Sequence, residues 1–309
     1  MTLAVLPLAA AVLPLAAATD PQLTWDLVAD VSQALEFPFM VNAFRAGGIV
    51  AVLSGLVGWF MVLRRQSFAG HTLAVVSFPG AAGAVLVGVS AVYGLFAFAI
   101  VAALIIALVP AAGRHGAGEE AAVTGTVQAF ALAAGFLFVT LYGRNLNGVD
   151  ALLFGTFLGI TDEEVLALAV ATVLALGVLA AIARPLLFAS VDPAVAAARG
   201  VPVRGLSAGF LVLLGVAAAE ASQITGSLLV FALLVVPAAT AQRLTARPRV
   251  SVAFSVVLGV GLTWASLLVA YYVDYPLGFL LTSAAFAVYV LAVAATRAAT
   301  AVGRRRVLR

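Results

Sequence analysis

From about residue 40 onward the chain is a succession of long apolar runs separated by short polar breaks. The runs cover about 40–63, 72–90, 91–112, 121–142, 163–183, 205–222, 225–242, 250–272 and 276–296. Each is close to the roughly 20 residues that an α-helix needs to cross a hydrocarbon core of about 30 Å. Residues 1–18 form a further apolar run. Within the runs Ala, Val and Leu follow one another without period-2 alternation, which argues against a transmembrane β-barrel. The pattern predicts an all-α, polytopic transmembrane helical bundle of about 8–10 spans. It divides into an N-terminal apolar segment with an external acidic linker (1–38), a transmembrane domain (39–297) and a basic tail (298–309).

Composition agrees: 64% of residues are hydrophobic and 9% are charged, with a mean hydropathy of +1.19. Such an excess of apolar surface makes lipid the solvent. All 16 basic residues are arginine. Without lysine the chain cannot form a G-x-x-x-x-G-K-[ST] phosphate loop, so any ATP hydrolysis belongs to another polypeptide. The chain has no cysteine, which excludes disulfides and thiolate metal sites.

Placing the charges gives an orientation. If Arg64 and Arg65 are cytoplasmic, alternation puts every arginine except Arg45 and Arg144 on that side. Most acidic residues, among them Asp20, Asp26, Asp30, Glu36, Asp150, Asp162 and Asp274, fall on the other. That is the positive-inside pattern, with the C-terminus cytoplasmic. The basic isoelectric point of about 9.7 is therefore an orientation signal and not a nucleic-acid footprint. The first run reads as a retained peripheral segment or as a removed signal ending at "AAATD", and either leaves residues 19–38 outside.

The longest cytoplasmic connection, "RPLLFASVDPAVAAARGVPVRG" (184–205), contains a short helix signature. Asp192 suits the N-cap, Pro193 the first helical position and Gly200 the C′ position, with Arg199 in the last turn. So short a helix is marginal alone in water. It either lies on its own bundle at the interface or serves as a docking peg for a cytoplasmic partner.

From about residue 38 to 296 the chain resembles the integral-membrane permeases of ATP-binding-cassette metal importers. Five blocks in order carry the resemblance: "RRQSFAGHTLAVVSFPG" (64–80), "LLFGTFLGIT" (152–161), "VDPAVAAARGVP" (191–202), "ITGSLLVFALLVVPAATAQRL" (224–244) and "YYVDYPLGF" (271–279). The resemblance implies a homodimeric permease of the bacterial cytoplasmic membrane that imports zinc, manganese or iron. An ATP-binding subunit would power it and an extracytoplasmic solute-binding protein would supply it. It also implies that segment 190–202, with Asp192, Pro193, Arg199 and Gly200, is the coupling helix. No cofactor is bound tightly; the divalent metal ion is cargo, and ATP sits on the partner.

Two intramembrane ionisable residues stand out, His71 and Glu220, because such groups are costly in lipid. Imidazole suits first-row metals. The resembling permeases usually carry an aspartate here and a histidine one helical turn later. In this chain those positions are His71 and Val75, so the two-residue metal site does not carry over. His71 either lines the path or bonds a backbone carbonyl near the arginines. Ser67, Thr72 and Ser77 could add weak oxygen ligands. At about 1.5 Å per residue His71 lies at most about 9 Å from Arg65, while Glu220 falls near the outer end of its span, so they mark separate stations. Glu220 forms an outer vestibule with Ser222, Gln223 and Thr225, or else pairs with Arg45 or is solvated. Pro79–Gly80 and Pro237 are candidate helix breaks for gating, although most such residues in spans are structural. His115, Glu119 and Glu120 read as a solvated loop.

Other classes fare worse. An intramembrane enzyme needs a constellation such as H-E-x-x-H, which is missing. A secondary transporter would show inverted repeats or paired acidic relays. Within transport, the rival is a permease for a metal chelate such as a siderophore or cobalamin.

Overall fold

In the computed structural model residues 26–108, 116–142, 159–227, 229–273 and 275–307 are described. The apolar run at 1–18, His115 and most of the 152–161 block lie outside them, as do the side chains of Glu119 and Glu120. The described elements are all helices: α1 (Leu27–Leu35), α2 (Pro38–Leu63), α3 (Ser67–Leu86), α4 (Ala91–Leu108), α5 (Gly116–Tyr142), α6 (Asp162–Val191), α7 (Pro193–Ala198), α8 (Val203–Thr225), α9 (Val230–Leu234), α10 (Val236–Leu244), α11 (Pro248–Tyr272) and α12 (Leu277–Val307). Eight of them are long and apolar enough to span a membrane: α2, α3, α4, α5, α6, α8, α11 and α12.

Three boundaries differ from the sequence pattern, each for a local reason. The run at about 225–242 is two short helices interrupted at the single residue Val235, whose backbone stays in the right-handed helical region. Gly226, at φ 75°, has already ended α8, and Pro237 has no N–H with which to continue a ladder from the preceding turn. Helix α3 starts at Ser67, earlier than the pattern places it. Arg65 takes a left-handed φ of 60°, and the amide of Gln66 bonds back to the carbonyl of Met61 at 2.9 Å. That closes α2 within a tight turn and frees the next residues to begin α3. Helix α6 runs on through Pro185 to Val191 instead of stopping near 183.

Side-chain contacts define two ends of the bundle. At one, Arg64 at the end of α2 reaches Ser190 of α6 and Ser207 of α8. There Gln242 of α10 also donates to the carbonyl of Trp59, and the Trp59 indole donates to Ser251 of α11. Arg243 stacks over Tyr289 of α12 at the same end. At the other, Asn42 donates to the carbonyl of Ile160, Arg45 meets Asp162, and the Tyr272 hydroxyl donates to the carbonyl of Asp30. Among the described residues Arg64 and Arg243 thus lie at one end and Asp30 and Asp162 at the other, where Arg45 joins them.

Helices α2, α3 and α8 form the centre, whereas α5, α6, α11 and α12 turn apolar faces outward. Small residues let the central helices close up. Gly80 of α3 and Gly94 of α4 meet backbone to backbone, and a Cβ on either would overlap the other's carbonyl oxygen. In lipid, where apolar burial gives no preference for protein over solvent, such close packing is a main source of helix association.

Candidate functional site

The apolar sequence of α3 is buried over most of its length, from Thr72 to Ala82. His71 lies in its second turn, half-buried, with its ring edge-on to Phe231 of α9 at 5.8 Å. Its Nδ1 is buried and has no hydrogen-bond partner. Val75, one turn on, is 2% exposed and lies in the apolar interior. Thr72 is fully buried and its hydroxyl donates to Gln128 of α5 at 2.8 Å, so its proton is engaged. Ser77 donates to its own helix at Leu73, the usual resort of a hydroxyl in an apolar helix. Ser67 opens α3, half-buried.

The candidate breaks separate. Pro79 does not break α3, which runs uninterrupted to Leu86. Close neighbours accommodate it: Gly135 of α5 lies against Phe78 and Pro79. Gly80 is the packing contact with Gly94. Pro237 sits in the first turn of α10, directly after the interruption at Val235. Phe231, the partner of the His71 ring, belongs to the short helix just before that point.

Glu220 is neither paired with Arg45 nor solvated. Arg45 instead faces Asp162 across 3.9 Å at the surface. Glu220 is 0% exposed, and Thr172 of α6 donates to its Oε2 at 2.7 Å. Its Oε1 has no partner. Sequence reasoning misplaced it because its position near the end of a span suggested water. Helices α4 and α6 pack against α8 there, with Leu95 and Ala99 of α4 beside Ala219 and Thr172 of α6 on Glu220. Nearby in sequence, Gln223 Nε2 and Ser227 Oγ are also buried without partners, while Ser222 and Thr225 bond to carbonyls one turn back.

The arginine end is built differently. Asp192 caps α7 by accepting from the amide of Val195 at 3.0 Å, with Pro193 at the first helical position. Arg199 is the C-cap, and Gly200 takes φ 80°, a conformation that a β-carbon would strain. Arg64 anchors both flanks of this stub. Its guanidinium donates to Ser190 at 3.1 Å, Ser207 at 2.6 Å and Gln66 at 3.1 Å, and lies over the Phe210 ring at 5.4 Å. The sequence marks Arg64 only as an orientation charge. Apart from Gln66 in the adjoining turn, its partners come from two distant helices, α6 and α8, and leave no local signal. Thr172 and Gln128 were missed for the same reason.

Among the described residues no three His, Asp or Glu side chains cluster as a metal site. A bundle of spanning helices with sparse interior polar groups and a capped stub at one end is the architecture of a multi-pass membrane permease. Residues 36–296 match the ABC 3 transport family, and the chain belongs to it. It is accordingly a transport permease and not an enzyme, with ATP hydrolysis on a separate subunit. It is 29% identical over 230 residues to the manganese transport system membrane protein MntC of Halalkalibacterium halodurans, covering 74% of this chain and 77% of that one. It is 32% identical over 215 residues to the chelated iron transport system membrane protein YfeC of Yersinia pestis, covering 70% and 72%. In fold it is similar to a solved structure of PsaBC from Streptococcus pneumoniae in complex with Fab. The TM-score is 0.76 at 23% identity, over 86% of this chain and 94% of that one.

Proposed function

We propose that this permease imports a divalent transition-metal ion (manganese, zinc or iron) across a bacterial cytoplasmic membrane. The arginine end and the C-terminus face the cytoplasm. Two copies pair, an ATP-binding subunit docks at the arginine end, and an extracytoplasmic solute-binding protein delivers the ion at the other. The observation that carries this reading is the capped helix α7 tied through Arg64 to α3. A push on α7 passes through Ser190, Ser207 and Arg64 into the turn from which α3 begins. It reaches His71 within two turns.

Asp192, Pro193, Arg199 and Gly200 form the coupling element in this reading. His71 and Glu220 are polar stations on the path, with Ser67 and Thr72 as minor oxygen groups. The sparse ligand set suits a conduit, since an ion held tightly would not leave. Gating falls to the helix interruption at Val235, one turn beyond the Phe231 ring on which His71 packs, and not to Pro79–Gly80.

The test is reconstitution with the cognate ATPase and binding protein in vesicles, measuring hydrolysis and uptake of manganese, zinc and ferrous ions. Ion-stimulated hydrolysis with matching uptake is expected. Stimulation by a siderophore or cobalamin but not by free ions would replace the metal with a chelate. Uptake without any ATPase would overturn the reading.

A further inference from the structure

Helices α6 and α11 each pack on α2 but are not a packed pair. Between them, at the arginine end, lies an open groove of about 560 Å³. Its walls are apolar: Leu56 and Trp59 of α2, Leu179 and Ala180 of α6, and Val252 of α11 among them. Along α6 the lining runs from Leu176 to Leu187, about 16 Å at 1.5 Å per residue. Arg184 and Arg249 stand at its rim, both exposed and neither in an ion pair among the described residues. Helices α2 and α11 contain no carboxylate, and the carboxylates of α6, Asp162 to Glu164, are at the far end of the bundle.

We infer that this groove is a binding site for an anionic glycerophospholipid. One acyl chain lies along Leu56, Leu179 and Val252, and the phosphate meets Arg184 and Arg249. The apolar walls require an occupant with a hydrocarbon tail. Two unpaired guanidiniums at the headgroup level select a negative head, as basic pockets between spanning helices do. A zwitterionic lipid fits the walls equally well but brings its own cation beside the arginines. Because α6 leads directly into α7, an occupant wedged against α6 also braces the segment that precedes the capped stub. Lipid binding itself does not depend on the transport assignment, and its readout is separate from uptake.

The test uses the purified full-length chain in an uncharged detergent. Dioleoyl phosphatidylglycerol or dioleoyl phosphatidylcholine is added, and retained lipid is counted by native mass spectrometry. The wild type should retain the anionic lipid about thirtyfold better, the size expected of two interfacial arginines. R184Q/R249Q should lose that preference, whereas R204Q/R243Q, which removes two arginines of the same end outside the groove, should keep it. The variant A180W fills the groove from an exposed position with both arginines intact, and should also lose retention. Unchanged preference in R184Q/R249Q or A180W would overturn the site. So would an equal loss in R204Q/R243Q, which would reduce the effect to general surface charge.

Discussion

The arginine end and the interior of this bundle treat polar groups in opposite ways. Around Arg64 three hydrogen bonds engage all three guanidinium nitrogens and a ring covers one face, and Asp192 accepts from an amide in the first turn of α7. Inside, His71 Nδ1, Glu220 Oε1, Gln223 Nε2 and Ser227 Oγ are buried without partners. Each such orphan costs about 1–3 kcal/mol. A fold that completes its bonds at one end and leaves them open in the other place separates two duties. In the proposed reading the satisfied network is the part suited to transmit force, because its bonds hold it in one arrangement. In that reading His71 Nδ1, Glu220 Oε1 and Ser227 Oγ are the open groups that could accept a passing ion, since no protein donor occupies them, whereas the Gln223 amide nitrogen is a donor and could not.

The largest expected effect comes from breaking the rigid end. Gly200→Val forces a β-branched residue into the left-handed region, which costs at least about 1–2 kcal/mol, and should abolish uptake. Membrane insertion, read by detergent-resistant yield, should be unaffected. Normal uptake would remove α7 from the mechanism. Next, Arg64→Gln should lower ions moved per ATP several-fold while ATPase docking, measured by co-purification, persists. Arg64→Lys, which keeps the charge but loses the fork, should recover only part. Equal losses in docking and transport would make Arg64 merely structural.

The interior should respond more gently and more selectively. Glu220→Gln preserves shape and the bond from Thr172 while removing the charge. It should reduce uptake several-fold, whereas Thr172→Val, which frees the carboxylate, should change ion preference more than rate. If Glu220→Gln matches wild type across manganese, zinc and ferrous iron, Glu220 is not a station. His71→Ala is expected to slow transport about two- to threefold without affecting assembly, because a conduit with few ligands depends little on each one. The smallest effect is Asp192→Ala, a cap loss of about 1 kcal/mol, visible as lower thermal stability of the complex with the ATPase.

Much of this was legible in the sequence because it is written in local or one-dimensional signals. Span lengths, the arginine asymmetry and the cap residues Asp192, Pro193 and Gly200 all belong to that kind. What could not be read depends on which helices meet. Nothing near Glu220 in the chain announces that Thr172 will face it, since the two come from separate spans. The fate of the prolines was equally hidden. Pro79 sits in a continuous helix with α5 lying against it, while Pro237 directly follows a helix interruption at Val235.

Gly80 and Gly94 leave α3 and α4 touching through their main chains, with no side chain between them to rotate out of the way. Sliding one past the other would demand that two carbonyls pass through the same space. In the proposed coupling, any displacement the stub imparts to α3 would therefore drag α4 along as a single lever of two spans.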